Sequence, residues 1–226
     1  SLVVSSASAS LTAMARLLLQ NPLFELQLHN KYFGSTGKDG PYFSKDERTF
    51  IRKSPTLRVA VLADDQPYSF LNRNGIIDGI IPDYFKRLSS VSGLLFSFVP
   101  FDSLDDIYAG IHSGKADIIG LYCSDIIAAG SQSLNLTESY SLMNVVQITR
   151  KGTGEIHRAA IDVREDELLH DKIAKASGIE LIPYSSSRKG FTALKHGKAD
   201  ALITDIPAAT WLMNHGRASD YTITPL

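Results

Sequence analysis

The sequence predicts an α/β protein of two lobes, each with a central, mostly parallel sheet flanked by helices. The phrase Gly-Lys-Ala-Asp occurs at 114–117 and again at 197–200, each time between an amphipathic helical stretch and an apolar run. Helical and apolar stretches alternate in one block before a long apolar segment near 142–149 and in a second block after it. Such alternation is expected of parallel strands joined by crossover helices, so the chain reads as two related lobes.

Composition excludes several classes of function. A formal net charge of −1 over 226 residues gives no reason to expect nucleic acid or an anionic membrane as a partner. The one cysteine, Cys123, rules out an internal disulfide. Six histidines without paired metal-ligand spacing, and the lack of a phosphate loop or nucleophile elbow, predict no metal, no cofactor and no catalytic residue.

Targeting signals leave two alternatives open. No apolar run reaches the ~18 residues needed to span a bilayer. The first ten residues lack the basic stretch that opens a signal peptide. The chain is therefore expected either to be excised from a longer precursor or to be cytoplasmic.

The first predicted elements precede the two lobes. Residues 2–4 are predicted as a short strand and 35–40 as a Gly-rich linker. Between them, a helix at 11–21 is stopped or kinked by Pro22, and a second helix at 23–32 ends at Gly34. Ser44 and Glu47 have the spacing of a capping box, which predicts a short helix closed by Pro55.

The lobes themselves follow in chain order. Lobe one is predicted to have strands at 57–62, 95–99 and 117–122, helices at 81–92 and 104–113, and a loop at 64–75. After a strand at 142–149, lobe two is predicted to have strands at 159–163, 180–184 and 201–204, with helices at 165–176, 188–195 and 207–216. Ligands of such sheets sit outside the carboxyl ends of the strands. The loops that follow the strands are therefore the predicted ligand-binding loops, at 63–70, 122–128, 162–166, 184–188 and 204–208.

A family resemblance rests on several short motifs. The runs Leu57-Arg-Val-Ala-Val and Gln66-Pro-Tyr-Ser-Phe, with Asn74-Gly75, Gly79, Asp83 and Tyr84, resemble the opening of an amino-acid-type periplasmic solute-binding protein, the Venus flytrap family. Both Gly-Lys-Ala-Asp phrases, Tyr140 and the run 199–205 are similar to that family's two lobes. The resemblance spans residues 55–226 and implies a bilobal, type II periplasmic-binding-protein-like fold.

The segment before lobe one resembles a signalling receptor. Residues 43–55 look like the short helix that precedes such a domain in the tandem flytrap regions of sensor kinases, whereas free transport proteins usually lack it. Residues 30–34 are similar to the final helix of a flytrap domain, and lobe two breaks off at 222–226.

These similarities predict a permuted unit. Residues 1–34 would form the closing strand and helices of lobe one, 35–55 the linker with its short helix, 56–150 lobe one and 151–226 lobe two. Residues 1–34 could pack on their own chain or on a neighbour.

The resemblance also implies what the cleft between the lobes lacks. In the family, an Arg shortly after the strand at 117–122 holds the ligand carboxylate, and a Gly with Ser or Thr follows the first strand of lobe two. Here residues 123–133 contain no Arg, and Val163-Arg-Glu-Asp166 replaces the second motif. A charge-assisted contact worth roughly 1.5–3 kcal/mol is missing, so an ordinary free α-amino acid is not the expected ligand.

One family position is kept. Asp205 stands where the family places the carboxylate that pairs with a ligand ammonium. The alternative is that Asp205 has no ligand role and serves only as the cap of the helix that begins at Pro207. An amine-bearing or amino-acid-like small molecule is therefore the predicted ligand. Cys123 has no identifiable His partner and is expected to pack as a small residue at the strand end.

The predicted ligand-binding residues combine this acid with an aromatic wall, further acids and polar loop residues. They are Asp65, Tyr68, Phe70, Tyr122, Cys123, Ser124, Asp125, Ser185 and Asp205.

The leading hypothesis is an extracytoplasmic sensing domain that binds a small molecule between its lobes and signals by hinge closure. It would be covalently linked to a membrane-anchored output domain such as a kinase or cyclase, with homodimer or tandem-domain contacts as further partners. One alternative is the free solute-binding component of an amino-acid or amine ABC transporter. Two others are a flytrap domain that binds nothing and a dehydratase-like enzyme, which needs an acid and a base across the cleft.

Overall fold

The computed structural model describes residues 43–122, 126–137, 144–162, 173, 178–216 and 218–226. These fall into two compact units: 43–55 with Leu88–Leu94, and the described parts of Thr56–Arg87 and Leu95–Leu226. The elements predicted at 1–34 and the linker at 35–40 lie outside the described residues, so the permutation stays a prediction. So does the helix predicted at 165–176, of which only Ile173 is described, and it is helical.

The first unit contains the helix that the capping box predicts. Helix α1 spans Lys45–Lys53, and Ser44 Oγ accepts a hydrogen bond from the Glu47 amide at 3.2 Å while Glu47 Oε2 accepts from the Ser44 amide at 2.7 Å. These bonds hold the pKa of Glu47 below its ordinary value. The reciprocal capping predicted from the sequence is confirmed, because it depends only on residues three positions apart.

Lobe one is built on three parallel strands, which lie side by side in the order β5 (Phe96–Phe101), β1 (Leu57–Leu62) and β6 (Ile118–Ile119). Strand β1 spans Leu57–Leu62, as predicted. Strand β5 spans Phe96–Phe101, slightly later than expected, and β6 is only Ile118–Ile119. Helices α2 (Ile80–Ser92) and α3 (Leu104–His112) connect them.

The two faces of β1 pack on different partners. Ala60 packs with Ile107 and Ala116. Val59 and Val61 approach Gly120 on the other face, close to Ile81 of α2. Alternate residues of one strand therefore bury both sides of the sheet, as the β period requires.

The predicted loop at 64–75 was wrong. Strands β2 (Asp64–Asp65), β3 (Ser69–Leu71) and β4 (Ile77–Asp78) form a small antiparallel sheet within and just after it. The Ser69 hydroxyl donates to the Leu62 carbonyl at 2.7 Å, which ties this sheet to the end of β1. Strands of two or three residues are too short to show an alternating pattern.

Helix α4 (Ile126–Ser131) was also not predicted and follows the end of lobe one's sheet. Strand β7 (Val145–Arg150) then matches most of the strand predicted at 142–149, of which 142 and 143 lie outside the described residues.

Lobe two has a five-stranded sheet, in the order β11 (Tyr221–Pro225), β7, β10 (Ala201–Asp205), β8 (Arg158–Asp162) and β9 (Glu180–Tyr184). Strands β8 (Arg158–Asp162), β9 (Glu180–Tyr184) and β10 (Ala201–Asp205) are parallel. Strand β11 (Tyr221–Pro225) pairs antiparallel with β7 and occupies the sheet edge. It was not predicted, because Tyr-Thr-Ile-Thr-Pro is half polar and ends in proline, which edge strands tolerate.

Two helices cover this sheet: α5 (Ser187–Lys195) and α6 (Ile206–Asn214). A buried cluster that includes Phe191, Leu194, Leu202 and Leu212 joins them to the strands. No helix among the described residues has both the length and the apolar character needed to cross a membrane.

The repeated phrase has a structural role at the amino ends of the strands. Asp117 accepts from the backbone amide of Arg58 at 2.8 Å, and Asp200 accepts from that of Arg158 at 2.9 Å. Each arginine also donates to the glycine carbonyl of the phrase, Arg58 to Gly114 and Arg158 to Gly197. In both lobes, the phrase therefore forms a turn that is hydrogen-bonded to the neighbouring strand. This turn lies at the sheet edge opposite the predicted ligand loops.

Candidate functional site

The carboxyl edge of the lobe-two sheet gathers polar groups from three strands. Strand β8 ends at Asp162, β9 at Tyr184 and β10 at Asp205, and helices α5 and α6 both begin at this edge. Ser186 caps α5, and Asp205 caps α6. Helix N-termini and strand carboxyl ends at one edge are the usual position of a ligand site in an α/β sheet.

A buried hydrogen-bond chain runs along this edge. Ser187 Oγ donates to Asp162 Oδ2 at 3.1 Å and lies 2.7 Å from Thr204 Oγ1. Because a serine hydroxyl carries one proton, the Thr204 hydroxyl is the donor in the second contact. The three residues are at most 2 % exposed, so the chain holds the Asp162 carboxylate in a fixed position in a dry setting.

Close packing of α5 on the sheet makes this series of hydrogen bonds possible. A Cβ at Gly190 would lie 2.8 Å from Leu202 Cδ1 and 3.4 Å from the Ala160 Cβ. The glycine thus lets α5 approach the sheet closely, one turn beyond Ser187.

Asp205 is fully buried, and its two carboxylate oxygens differ in their hydrogen bonding. Oδ1 accepts a hydrogen bond from the Ala208 amide at 2.8 Å, so the capping role weighed in the sequence analysis is confirmed. Oδ2 has no hydrogen-bond partner within the described part of the chain. A buried carboxylate oxygen without a donor is costly, and a ligand ammonium would satisfy it.

In lobe one, Asp65 and Phe70 lie in the small sheet at the end of β1, and Tyr68 lies in the turn between its first two strands. Asp65 and Tyr68 are buried, each 3 % exposed, whereas Phe70 is half-buried. The Tyr68 carbonyl accepts from the Ile81 amide at 2.9 Å, which fixes this segment to the start of α2. A role for these three side chains in ligand binding stays a prediction.

The other predicted residues have mixed outcomes. Tyr122 is half-buried after β6, and Ser185 is exposed, its Oγ accepting from Lys189 Nζ at 2.8 Å. Cys123, Ser124 and Asp125 lie outside the described residues. Nothing in the described residues brings three His, Cys, Asp or Glu side chains together as a metal site.

An ion pair joins the two lobes. Arg188, in the first turn of α5, donates from Nη2 to both oxygens of Asp64 at 2.7 and 2.8 Å, and from Nε to Oδ1 at 3.1 Å. Asp64 lies in β2 of lobe one and also accepts from Gln66 Nε2 at 3.2 Å. The side chains are 36 % and 50 % exposed for Asp64 and Arg188, so the pair lies at the rim and not in the core.

Five residues at this site were not predicted as functional: Asp64, Asp162, Ser187, Arg188 and Thr204. Their shared signal was present, because all five lie in or beside the loops selected at the strand carboxyl ends. What was absent was any indication that residues from three separate strand ends would meet, or that residues 64 and 188 would pair.

Two α/β lobes, with buried acids at the carboxyl ends of the strands and an ion pair between the lobes, define a bilobal binding protein. The chain belongs to the bacterial extracellular solute-binding proteins, family 3, whose model matches residues 57–178, more than half of its length. The predicted family and fold are both confirmed.

Curated relatives with this similarity are sensor proteins. The chain is 21% identical over 181 residues to the virulence sensor protein BvgS of Bordetella pertussis, and 25% identical over 187 residues to that of Bordetella bronchiseptica. Each match covers 77% of this chain and 14% of the relative. The chain therefore spans about one seventh of the length of these relatives.

Solved structures share the fold. The periplasmic VFT2 domain of Bordetella pertussis BvgS matches with a TM-score of 0.70 and 19% identity, covering 82% of this chain and 81% of that one. An ancestral arginine-binding protein bound to arginine matches with a TM-score of 0.64 and 24% identity, covering 75% and 78%. An ancestral amino-acid-binding precursor of cyclohexadienyl dehydratase matches with a TM-score of 0.60 and 22% identity, covering 81% and 84%.

Proposed function

We propose that the chain is the extracytoplasmic ligand-sensing domain of a membrane-tethered receptor. It would bind an amine-bearing small molecule between its lobes and pass the closure of the lobes to a covalently linked output domain. Support for the receptor role comes from the relatives, which are named virulence sensor proteins, and from helix α1, which precedes lobe one as in tandem sensor domains.

The observation that carries the ligand class is the buried Oδ2 of Asp205, which has no donor among the described residues. The charged side chains that are buried among the described residues, Asp65, Asp162 and Asp205, are all acidic. Buried carboxylates need cationic or hydrogen-bonding partners. An ammonium, guanidinium or similar group supplies both the charge and the donors.

In this proposal the predicted ligand-binding residues have distinct roles. Asp205 binds the cationic group, and Asp65 and Asp125 add negative charge around it. Tyr68, Phe70 and Tyr122 contact the ligand through their aromatic rings, while Cys123, Ser124 and Ser185 contribute polar contacts. The proposal assigns no catalytic residue.

A second candidate is the free solute-binding component of a transporter for amino acids or amines. The fold shared with an arginine-binding protein favours it. The two candidate functions predict the same kind of cleft but different domains encoded after it in the same gene. A coding sequence that continues from this domain into a membrane anchor and output domain fits the sensor, and one that stops after a single binding unit fits the carrier.

A thermal-shift screen tests the ligand class. The chain would be heated with panels of polyamines, cationic amino acids, neutral amino acids and plain carboxylates at matched ionic strength. A ligand at 100 times its Kd stabilises the folded state by about 2.7 kcal/mol, which is readily measured. Stabilisation by amine-bearing compounds is expected. Stabilisation by plain carboxylates alone would contradict the proposal, and no shift with any panel would favour a domain that binds nothing.

A further inference from the structure

We infer that Asp64 and Arg188 form an interlobe latch that holds the two lobes together before any ligand binds. The inference concerns the ligand-free chain and does not depend on the ligand class proposed above. It rests on the geometry of this pair and on the rigidity of the elements that carry it.

The contact is bidentate, because two guanidinium nitrogens face both oxygens of one carboxylate. Three hydrogen bonds of 2.7, 2.8 and 3.1 Å involve both oxygens of Asp64 and two nitrogens of Arg188. Such paired contacts fix orientation as well as distance, which a single contact does not. The same arrangement is how an arginine holds the carboxylate of a bound ligand, so Asp64 gives Arg188 a partner from within the chain.

Both side chains project from fixed elements. Asp64 belongs to β2, which is paired with β3, and the Ser69 hydroxyl of β3 donates to the Leu62 carbonyl of the lobe-one sheet. Arg188 belongs to the first turn of α5, which packs closely on the lobe-two sheet through Gly190. Movement of one lobe away from the other would therefore break the pair rather than be absorbed by a loose loop.

The electrostatics of α5 favour the same arrangement. A cation in the first turn of a helix is disfavoured by the helix dipole, whereas an anion is favoured there. Arg188 and Lys189 are both cations in that turn, and the helix has no acid in it. The Asp64 carboxylate offsets this positive charge, so it is attracted both by the N-terminus of α5 and by the guanidinium of Arg188.

The rim position sets the size of the effect. Because both side chains are at least a third exposed, solvent and salt screen the attraction. An exposed pair of this kind changes the ratio of closed to open molecules by up to about fivefold. The latch is therefore expected to bias the lobes towards contact and to weaken as the salt concentration rises.

Small-angle X-ray scattering of the whole 226-residue chain tests the latch. Asp64→Asn and Arg188→Gln are expected to increase the radius of gyration, and the charge reversals Asp64→Arg and Arg188→Asp to increase it further. The double variant D64R/R188D restores opposite charges and should return towards the unsubstituted value. Lys86→Gln is the matched control, since it breaks the exposed Lys86–Asp83 pair within α2 and should leave the radius unchanged.

Salt gives an independent readout. Between about 0.05 and 1 M salt the Debye length falls several-fold, so the radius of the unsubstituted chain should rise while that of Asp64→Asn stays constant. Circular dichroism would verify that each variant is folded. The inference is overturned if the single variants keep the unsubstituted radius, or if D64R/R188D is as expanded as the single reversals.

Discussion

Arg58 and Asp117 are joined by three hydrogen bonds at the amino ends of β1 and β6. The guanidinium donates from Nη2 to Asp117 Oδ1 at 2.7 Å and from Nε to Oδ2 at 2.9 Å, and the Arg58 backbone amide donates to Oδ2 at 2.8 Å. These bonds lower the pKa of Asp117 to about 2. Asp117 is the acid of the first Gly-Lys-Ala-Asp phrase, so the repeat marks a structural contact in each lobe.

Acid stability should depend on Asp117. Its ordinary pKa of about 3.9 in an unfolded chain is lowered to about 2 in the folded one, so the folded state is stabilised above about pH 4. That contribution is lost as the pH falls through 2. Urea unfolding of the unsubstituted chain and of Asp117→Asn should therefore show a stability difference that is constant above pH 5 and shrinks below pH 4.

The control for that series is Asp105→Asn, which removes an exposed carboxylate from the first turn of α3. If this variant reproduces the change seen with Asp117→Asn, the change does not come from the Arg58–Asp117 contact. A stability difference for Asp117→Asn that is the same at pH 3 and pH 6 would contradict the pKa assignment.

The ion pairs of the two Gly-Lys-Ala-Asp phrases should contribute differently to the stability of the fold. Arg58 reaches Asp117 Oδ1 at 2.7 Å, whereas Arg158 Nη2 lies 3.8 Å from Asp200 Oδ1. Both pairs are partly exposed, so solvent and salt screen the attraction in each of them. Arg58→Met should lower the free energy of unfolding slightly, and Arg158→Met should lower it by less. Equal losses in parallel urea titrations would show that the shorter contacts add nothing.

Gly79 should not tolerate a side chain. It has a φ of +124°, and a Cβ there would lie 2.6 Å from the Tyr68 carbonyl oxygen and 2.7 Å from that of Pro67. Both clashes are with backbone, which cannot rotate away. Gly75 is the matched control, because it also has a positive φ, +72°, but nothing lies within 4 Å of a Cβ at that position.

Gly75→Ala should cost about 1–2 kcal/mol from backbone conformation alone, and Gly79→Ala clearly more. Denaturant unfolding of the two variants would measure the difference. Because Gly79 also supports the segment that carries Tyr68, Gly79→Ala should weaken ligand responses as well. Equal destabilisation by the two substitutions would mean that the contact with residues 67 and 68 is not needed.

Local signals in the sequence predicted much of the fold. The capping box of Ser44 and Glu47 and the apolar run of β1 need only neighbouring residues to be recognised. Strands β2, β3, β4 and β11 were missed because they are short or lie at an edge, where packing on a neighbour rather than sequence pattern decides the conformation.

The candidate site was only partly predictable for the same reason. Asp205 was selected because it stands, at the end of a strand, where the resembled family places an ammonium-binding carboxylate. The prediction that it caps the next helix needed only the residues that follow it. The chain from Asp162 through Ser187 to Thr204 depends on strand order and on the close approach of α5, neither of which the sequence displays. The Asp64–Arg188 pair depends on the placement of two lobes whose residues are far apart in sequence.

The most direct test of the proposed function is the thermal shift that an amine hit produces in the unsubstituted chain and in Asp205→Asn. Asparagine caps helices as well as aspartate does, so this variant keeps the start of α6 while it replaces the carboxylate by a neutral amide. Ser103→Ala is the control, because it removes the cap of α3 in lobe one at a cost of about 0.5–2 kcal/mol without changing Asp205.

Without ligand, Asp205→Asn should remain folded, because an asparagine oxygen can keep the hydrogen bond that Asp205 Oδ1 accepts from the Ala208 amide. With the amine, the unsubstituted chain and Ser103→Ala should both shift to higher melting temperature, and Asp205→Asn should lose the shift. An undiminished shift in Asp205→Asn would contradict the assignment of Asp205 as the group that binds the ligand.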